Sequence, residues 1–581
     1  MSLLAACGGS SSTTTAKGTC SIPDPTATYR NKMKYDLGFW WQGTMVVGLV
    51  SNDNKPVNVP LEKVTDEVNS ILVNWPAPTI HEALKVRDVH LLKSNQSTTA
   101  TAIFQLLWNN QSSNDDALLK AAIDCINASS PVARQTPISE ANTVIAGASP
   151  DWSMNGDPAG GGFGGGMPDG NPTVVSHPLE HAPLLPDNTS TGKTVYILDT
   201  APLPAAGHQN TPLGSGDSQQ YPVLGSGSPN CGNSCSLLDD LQQGTPVRLR
   251  DQMMPDEFAY ICAYDGPHTP PCKTGRQGAE LQNTTLRTHG AFVSAIIHHR
   301  APAAQLVLVR VLNDYGVDDL ETLLQALYDI DQVTSDPAKV IVNLSLAVQP
   351  PPQCLIQLWN DGYDTIVNTQ DPGRPVQMTK CNASSALTTD DQHLYQNRLV
   401  LPLGQVIAYL VDRGYTIAAA AGNESGDGQH AGADMPAAFC GVNAVAARAV
   451  AVISASPGDW QFSGNSDTLA AFSNQPYIPN AQPVKSGSSV IHQACIQVST
   501  APITDGDMKT GGKFDLASID LNHAFAALGV GICSLDLPDL NAASGPALLW
   551  AGSSFATAFV SGNLARGQAT WDESQPCQPG P

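Results

Sequence analysis

Lys193-Thr-Val-Tyr-Ile-Leu-Asp199 is a continuous apolar run that ends in an acid, and its reading decides the fold. Four more runs of the same kind follow: Gln305-Leu-Val-Leu-Val-Arg-Val-Leu312, Lys339-Val-Ile-Val-Asn-Leu-Ser345, Thr416-Ile-Ala-Ala-Ala-Ala-Gly422 and Ala449-Val-Ala-Val-Ile-Ser454. A strand that is apolar along its whole length is buried on both faces, which is the mark of a parallel sheet covered by helices. Helical patterns at Leu320 to Ile330 and Leu399 to Arg413 lie between these runs. Residues 190–581 therefore read as α/β, a doubly wound, mostly parallel sheet. In such sheets the chemistry gathers beyond the carboxyl ends of the strands.

Working outward, residues 20–150 give a second, smaller α+β unit. Strand patterns at Thr44 to Ser51, Val86 to Leu92, Thr99 to Trp108 and Thr143 to Ala148 alternate with helix patterns at Pro60 to Val73 and Asp115 to Ala128. The order is β-α-β-β-α-β. Between the two units, residues 151–189 hold Ala159-Gly-Gly-Gly-Phe-Gly-Gly-Gly166, which reads as a linker and a natural site of cleavage. Residues 1–19 read as a polar tether.

The chain has 581 residues and a formal charge of −23, from 29 basic and 52 acidic side chains. That balance argues against a nucleic-acid partner, which needs a basic stripe. Thirteen cysteines are many for a reducing compartment. With Cys7 set aside, twelve remain, compatible with up to six disulfides; Cys262–Cys272, Cys354–Cys381 and Cys231–Cys235 are the closest in sequence. Cys7 follows Leu4-Ala5-Ala6 and precedes a small polar stretch, which resembles the processing site of bacterial lipoproteins. That resemblance implies a lipidated Cys7 as a membrane anchor and an extracellular or cell-envelope location.

Four polar residues carry the chemistry. Ser554 lies in Ala551-Gly-Ser-Ser-Phe-Ala-Thr-Ala-Phe-Val-Ser-Gly562, where a tight turn opens a helix. A helix amino terminus stabilises negative charge, so it suits a nucleophile whose intermediate is an oxyanion. His289 opens a second helix, Asp199 ends a buried strand, and Asn423 follows another in Ala421-Gly-Asn-Glu424. No one of these signals decides alone: a serine there is more often an N-cap and an asparagine more often a turn residue. The order Asp, His, Asn, Ser, each in its own local setting, is a much stronger signal.

From about residue 190 to 570 the chain resembles the subtilisin-type serine proteases. The family's serine motif reads Gly552-Ser553-Ser554-Phe555-Ala556 here, its histidine motif His289-Gly290-Ala291-Phe292-Val293, its aspartate motif Asp199-Thr200-Ala201 and its oxyanion segment Ala421-Gly422-Asn423. The resemblance implies a secreted endopeptidase in which Asp199, His289 and Ser554 form the triad and Asn423 donates to the oxyanion. Ser345, Leu346 and Ala347 match the family's substrate-lining segment and would pair with a polypeptide substrate. The unit at 20–150 stands where that family carries a propeptide; an accessory domain is the alternative.

Ala201 and Ala347 replace glycines and Ala558 replaces a proline of the family pattern. His289 lies 90 residues after Asp199, Asn423 lies 80 after Asn343 and Ser554 lies 131 after Asn423, so three insertions are implied, holding nine cysteines between them. No cofactor is required. Calcium is common in the family, but the acids Asp314, Asp318, Asp319, Asp505 and Asp507 form no recognisable ligand loop and read as a solvated surface, so no metal site is assigned. A monomer is expected. The rival reading is a catalytically degenerate protease fold that acts as a binding module.

Overall fold

The fold is described from a computed structural model at residues 40–73, 83–155 with short breaks, 173–174, 180–181, 189–200, 289–312, 317–348, 400–423, 434–449 with short breaks, short pieces between 468 and 535, 547–567 and 577–578. The tether, the glycine linker, most of the three long insertions, Ala201, Asp314, Asp505, Asp507, the three suggested disulfides and nearly all of Ala449 to Ser454 lie outside these residues.

The chain is mixed α/β, with one mainly parallel sheet and one antiparallel sheet. In the amino-terminal unit the order is β1 (Trp40–Ser51), α1 (Leu61–Val73), β2 (Leu84–Leu92), β3 (Thr99–Trp108), α2 (Asp116–Ala133) and β4 (Thr143–Asn155). The strands pair antiparallel in the order β4-β1-β3-β2. In α1 the apolar residues Val64, Val68 and Leu72 recur every fourth position and bury one stripe.

The larger unit supplies β5 (Thr194–Thr200), α3 (His289–Arg300), β6 (Gln305–Leu312), β7 (Val317–Asp319), α4 (Leu320–Val333), β8 (Val340–Leu344), β9 (Ala347–Val348), α5 (Leu401–Asp412), β10 (Thr416–Ala420), β11 (Asn443–Ala449), β12 (Ala524–Leu528), β13 (Ile532–Leu535), β14 (Ala547–Trp550) and α6 (Ser553–Arg566). Strands β6-β5-β8-β10-β11-β12 run parallel. Four of the apolar runs read as strands are β5, β6, β8 and β10; of the fifth, Ala449 to Ser454, only Ala449 is among the described residues, at the end of β11. Alternate residues Tyr196, Leu198, Val307, Val309, Val342, Leu344, Ile417 and Ala419 share one core with α4 and α5. Helices α3 and α6 pack on the sheet as well. Strand order reverses between β6-β5 and β8-β10, which opens a crevice beyond the carboxyl ends of β5 and β8.

Helix α3 is buried along its whole length, and α6 everywhere except Leu564 and Arg566. They touch where a Cβ on Gly562 would lie 2.5 Å from the Cβ of Arg300, so only glycine allows this approach. Arg300 donates to Asn563 Oδ1 at 2.9 Å and its guanidinium lies 6.0 Å from the Phe559 ring centre.

Three sequence expectations change. Strand β4 was expected to end at Ala148 but runs on to Asn155, where it pairs antiparallel with β7 (Asp318 with Met154) and β9 (Ala347 with Asn155). Local alternation fails at Pro150 and Asp151, while partners more than 160 residues away supply the pairing. Asp318 and Asp319 are no solvated surface: they are 6% and 8% exposed because Asp319 caps α4 through Thr322 N–H and Asp318 accepts the Thr322 hydroxyl. Cys125 is a buried thiol in α2 and not half of a disulfide, which leaves an odd eleven of the twelve. A small residue on the packed face of a helix is a common place for a thiol.

The antiparallel sheet is covered on both faces. Its own α1 and α2 pack on one side, and α4 and α5 on the other. Gly48 of β1 and Gly147 of β4 are directly paired, and both face α5. A Cβ on Gly147 would lie 2.9 Å from Leu401 Cδ2, and one on Gly48 would run into Gln405 Oε1. The glycine pair thus forms the seat for the helix.

The two units also share polar contacts. Asp331 of α4 is fully buried and accepts hydrogen bonds from Ser94, from Tyr409 at 2.8 Å and from Tyr415 at 3.1 Å. Tyr328 sits beside the hydroxyls of Thr99 and Thr101. Burial, and then Asp331, push the Tyr409 phenol up to about 12.

Candidate active site

Asp199 ends β5 and His289 begins α3, so the two meet at the mouth of the crevice. Nδ1 of His289 lies 2.8 Å from Asp199 Oδ1 and 3.0 Å from Oδ2. A bifurcated contact of this kind fixes both the tilt of the ring and its tautomer, with the proton on Nδ1 and the lone pair on Nε2. Thr200 N–H donates to Asp199 Oδ1 at 2.6 Å and holds the carboxylate in plane. Thr200 Oγ1 in turn accepts from Gly290 N–H at 3.0 Å. A Cβ on Gly290 would collide with the Thr200 carbonyl and lie 3.0 Å from Asp199 Cβ. Glycine is what lets α3 start this close to β5.

Ser554 stands at the amino terminus of α6, after β14 and the turn at Gly552. Its Oγ donates to the Ser345 carbonyl at 3.1 Å. The Ser345 hydroxyl donates back to the Ser554 carbonyl at 3.0 Å and to Asn343 Oδ1 at 2.9 Å. Asn343 Nδ2 donates to Ser561 Oγ at 2.9 Å, so the end of β8 and the first turns of α6 are laced together. Nε2 of His289 is buried and has no hydrogen-bond partner among the described residues. The histidine and the serine are 0% and 2% exposed.

Asn423 follows β10, and its Oδ1 accepts from Ser553 N–H at 2.8 Å. Gly422, with φ of 104°, donates its N–H to Ser553 Oγ at 3.2 Å. The Asn423 amide is therefore clamped beside the amino terminus of α6. All four predicted polar residues converge on one end of the parallel sheet. Ser345, Leu346 and Ala347 border the same end and are buried, with Ala347 facing Asn155 of β4 instead of solvent. Ala558 is buried inside α6 and leaves its helix intact.

An aromatic wall was not legible in the sequence. Trp550 packs edge-on to His289 with ring centres 5.6 Å apart, and Phe555 packs against the same ring at 5.4 Å. Phe292 joins both, 5.5 Å from Trp550 and 4.6 Å from Phe555. These rings pack against the imidazole and one another and help to bury it. Phe292 and Phe555 stand in the quoted motifs. Trp550 is a single aromatic at a strand end, with no periodicity to mark it.

No protein-family model matches the chain, and no curated protein matches it. Among solved structures, the PatG macrocyclase in complex with a peptide is similar to 65% of this chain and 76% of its own, with 11% identity and a TM-score of 0.29. A cold-adapted subtilisin-like serine proteinase is similar to 67% of this chain and 81% of its own, with 14% identity and a TM-score of 0.26.

Proposed function

We propose that the chain is a serine endopeptidase of the subtilisin type, secreted or anchored to the cell envelope, acting on polypeptides. The observation that carries this reading is the buried His289 ring, held by both oxygens of Asp199 at 2.8 and 3.0 Å with Nε2 unspent. A nitrogen base that is oriented, buried and without a partner is poised to take a proton.

Ser554 Oγ leaves the Ser345 carbonyl by a side-chain rotation and attacks the scissile carbonyl. His289 takes the hydroxyl proton at Nε2 and later gives it to the leaving amine. Asp199 stays ionised and steadies the imidazolium. Backbone N–H of Ser554 and the Asn423 amide receive the oxyanion at the α6 amino terminus. Triad contacts commonly tighten only once substrate is bound, which accommodates the present Ser554 rotamer. Substrate enters as an added strand against Ala347–Val348 and Val317–Asp319, the edges that β4 now fills. In this reading the unit at 20–150 is a propeptide whose last strand occupies the cleft.

The test is hydrolysis of an unstructured polypeptide by the wild-type chain and by Ser554→Ala, with a fluorophosphonate label in parallel. Turnover is expected to fall by at least about 10⁴-fold in the variant, with the label lost. Equal turnover in both would sink the assignment; a wild type with neither turnover nor label would point to a site that only binds.

A further inference from the structure

The junction between β4 and the start of α4 concentrates negative charge where the two units meet. Asp151, on the strand that enters the cleft, is 1% exposed. Its Oδ1 accepts from Glu321 N–H at 3.0 Å, so a side chain of the amino-terminal unit caps a helix of the other. Asp318 and Asp319 of β7 and Glu321 of α4 are packed around it. Among the described residues, the imidazole of His90 of β2 lies beside this cluster, with Nε2 3.5 Å from Glu321 Oε1. Asp151 and His90 belong to the amino-terminal unit and the other three acids to the larger one, so the contacts that Asp151 and His90 make with these acids span the junction.

We propose that this junction is a proton-sensitive clasp: Asp151, seated among Asp318, Asp319 and Glu321, holds β4 in the cleft while it is protonated, and its ionisation loosens that strand. The inference rests on the cleft being a peptidase's, but it concerns docking and not hydrolysis.

Burial, and after it repulsion from Asp319 and Glu321, push the Asp151 carboxyl well above the usual carboxylate range. The hydrogen bond from Glu321 N–H opposes this and is outweighed. Docking is therefore fully favoured below the ordinary aspartate range, near pH 4, and weakens as pH rises towards the docked carboxyl's own pKa. The docking constant falls by up to about tenfold per pH unit across that window. His90 works in the same direction, because an imidazolium offsets Glu321 in mild acid and loses its charge as pH rises. Acid thus keeps the unit docked and a rise in pH favours its release. The tyrosines of the core shared with α4 and α5 titrate only far above this range, so the clasp sets the pH at which β4 yields.

The experiment uses the full chain carrying Ser554→Ala, so that self-cleavage cannot intervene. Hydrogen–deuterium exchange of residues 143–155 and 317–324 is followed from pH 5 to pH 8, corrected for intrinsic exchange, with residues 553–566 as the internal reference. Protection of 143–155 is expected to fall at least tenfold over that range relative to the reference. Adding Asp151→Asn or Glu321→Gln is expected to flatten the fall, and the second variant carries the test should the first fail to fold. A pH-independent protection, or an undiminished fall in the folded variants, would overturn the clasp. Failure of the peptidase reading would show separately, as unchanged hydrolysis in Ser554→Ala.

Discussion

Asn423 shows how much one side chain is asked to do. Its Oδ1 accepts from Ser553 N–H at 2.8 Å, which fixes the amide beside the amino terminus of α6. A donor that is already oriented loses little freedom when charge develops, which is why it acts on the transition state more than on the ground state. Asn423→Ala is expected to lower kcat by about 10²–10³-fold, the size such a donor has in subtilisin-type enzymes, with KM little changed. Steady-state kinetics on a peptide substrate check this; a loss confined to KM would mean that the amide only positions substrate. At this scale the sequence was informative because each of the four polar residues sits at the boundary of an element. Asp199 ends a strand and His289 and Ser554 begin helices, so local pattern locates them. The Trp550–His289 and Ser554–Ser345 contacts were not legible, because the partners lie 261 and 209 residues apart and no spacing encodes them. Asp318 and Asp319 misled for a related reason: two adjacent acids look solvated until the cap on Thr322 and the opposing strand are in place.

The amino-terminal unit shows a repeated device at the level of elements. Asn69 of α1 accepts from Val86 N–H at 2.8 Å and donates to Val86 C=O at 3.2 Å. Asn127 of α2 makes the same pair of bonds with Ala148 of β4, at 2.8 and 2.9 Å. Each helix thus pins the strand that follows it. The pinned residues lie on β2 and β4, the outer strands of the order β4-β1-β3-β2, at positions where no further strand pairs beside them. Asn127 is fully enclosed, and leucine in its place would strand a buried N–H and C=O. Asn127→Leu is expected to destabilise the unit by about 1–3 kcal/mol. Denaturant unfolding followed by exchange protection across residues 143–155 measures it; an unchanged midpoint would mean that water replaces the amide. Element type was largely legible: β3 spans Thr99–Trp108 and β6 spans Gln305–Leu312, as their apolar runs predict. The far half of β4 was not, because a Pro-Asp break hides a strand whose partners belong to the other unit.

For the whole molecule, the telling feature is how the antiparallel sheet is covered. Met45, Val46, Val47, Leu49 and Val50 are consecutive or nearly so, and all are buried. A free-standing sheet with one wet face would alternate apolar and polar residues, so this run already implies a second cover. That cover is α4 and α5, and it joins both units in one core. The sequence held this information, but a single run does not say which distant helices will supply the missing layer. The same arrangement makes a prediction about processing. With β4 lying in the cleft and ending at Asn155, the bond to be cut should follow it, within the glycine-rich stretch up to residue 190. The chain is 60.9 kDa over 581 residues, so such a cut removes roughly 16–20 kDa at the kind of segment where cleavage concentrates. Intact mass is expected to drop by that amount in the wild type on incubation at neutral pH and to stay whole in Ser554→Ala. Because both units share a buried core, the two fragments should still co-elute in acid immediately after the cut. A cut that appears equally in Ser554→Ala would assign it to another protease. A wild type that stays whole while hydrolysing peptides would make the amino-terminal unit an accessory domain that yields the cleft without being severed.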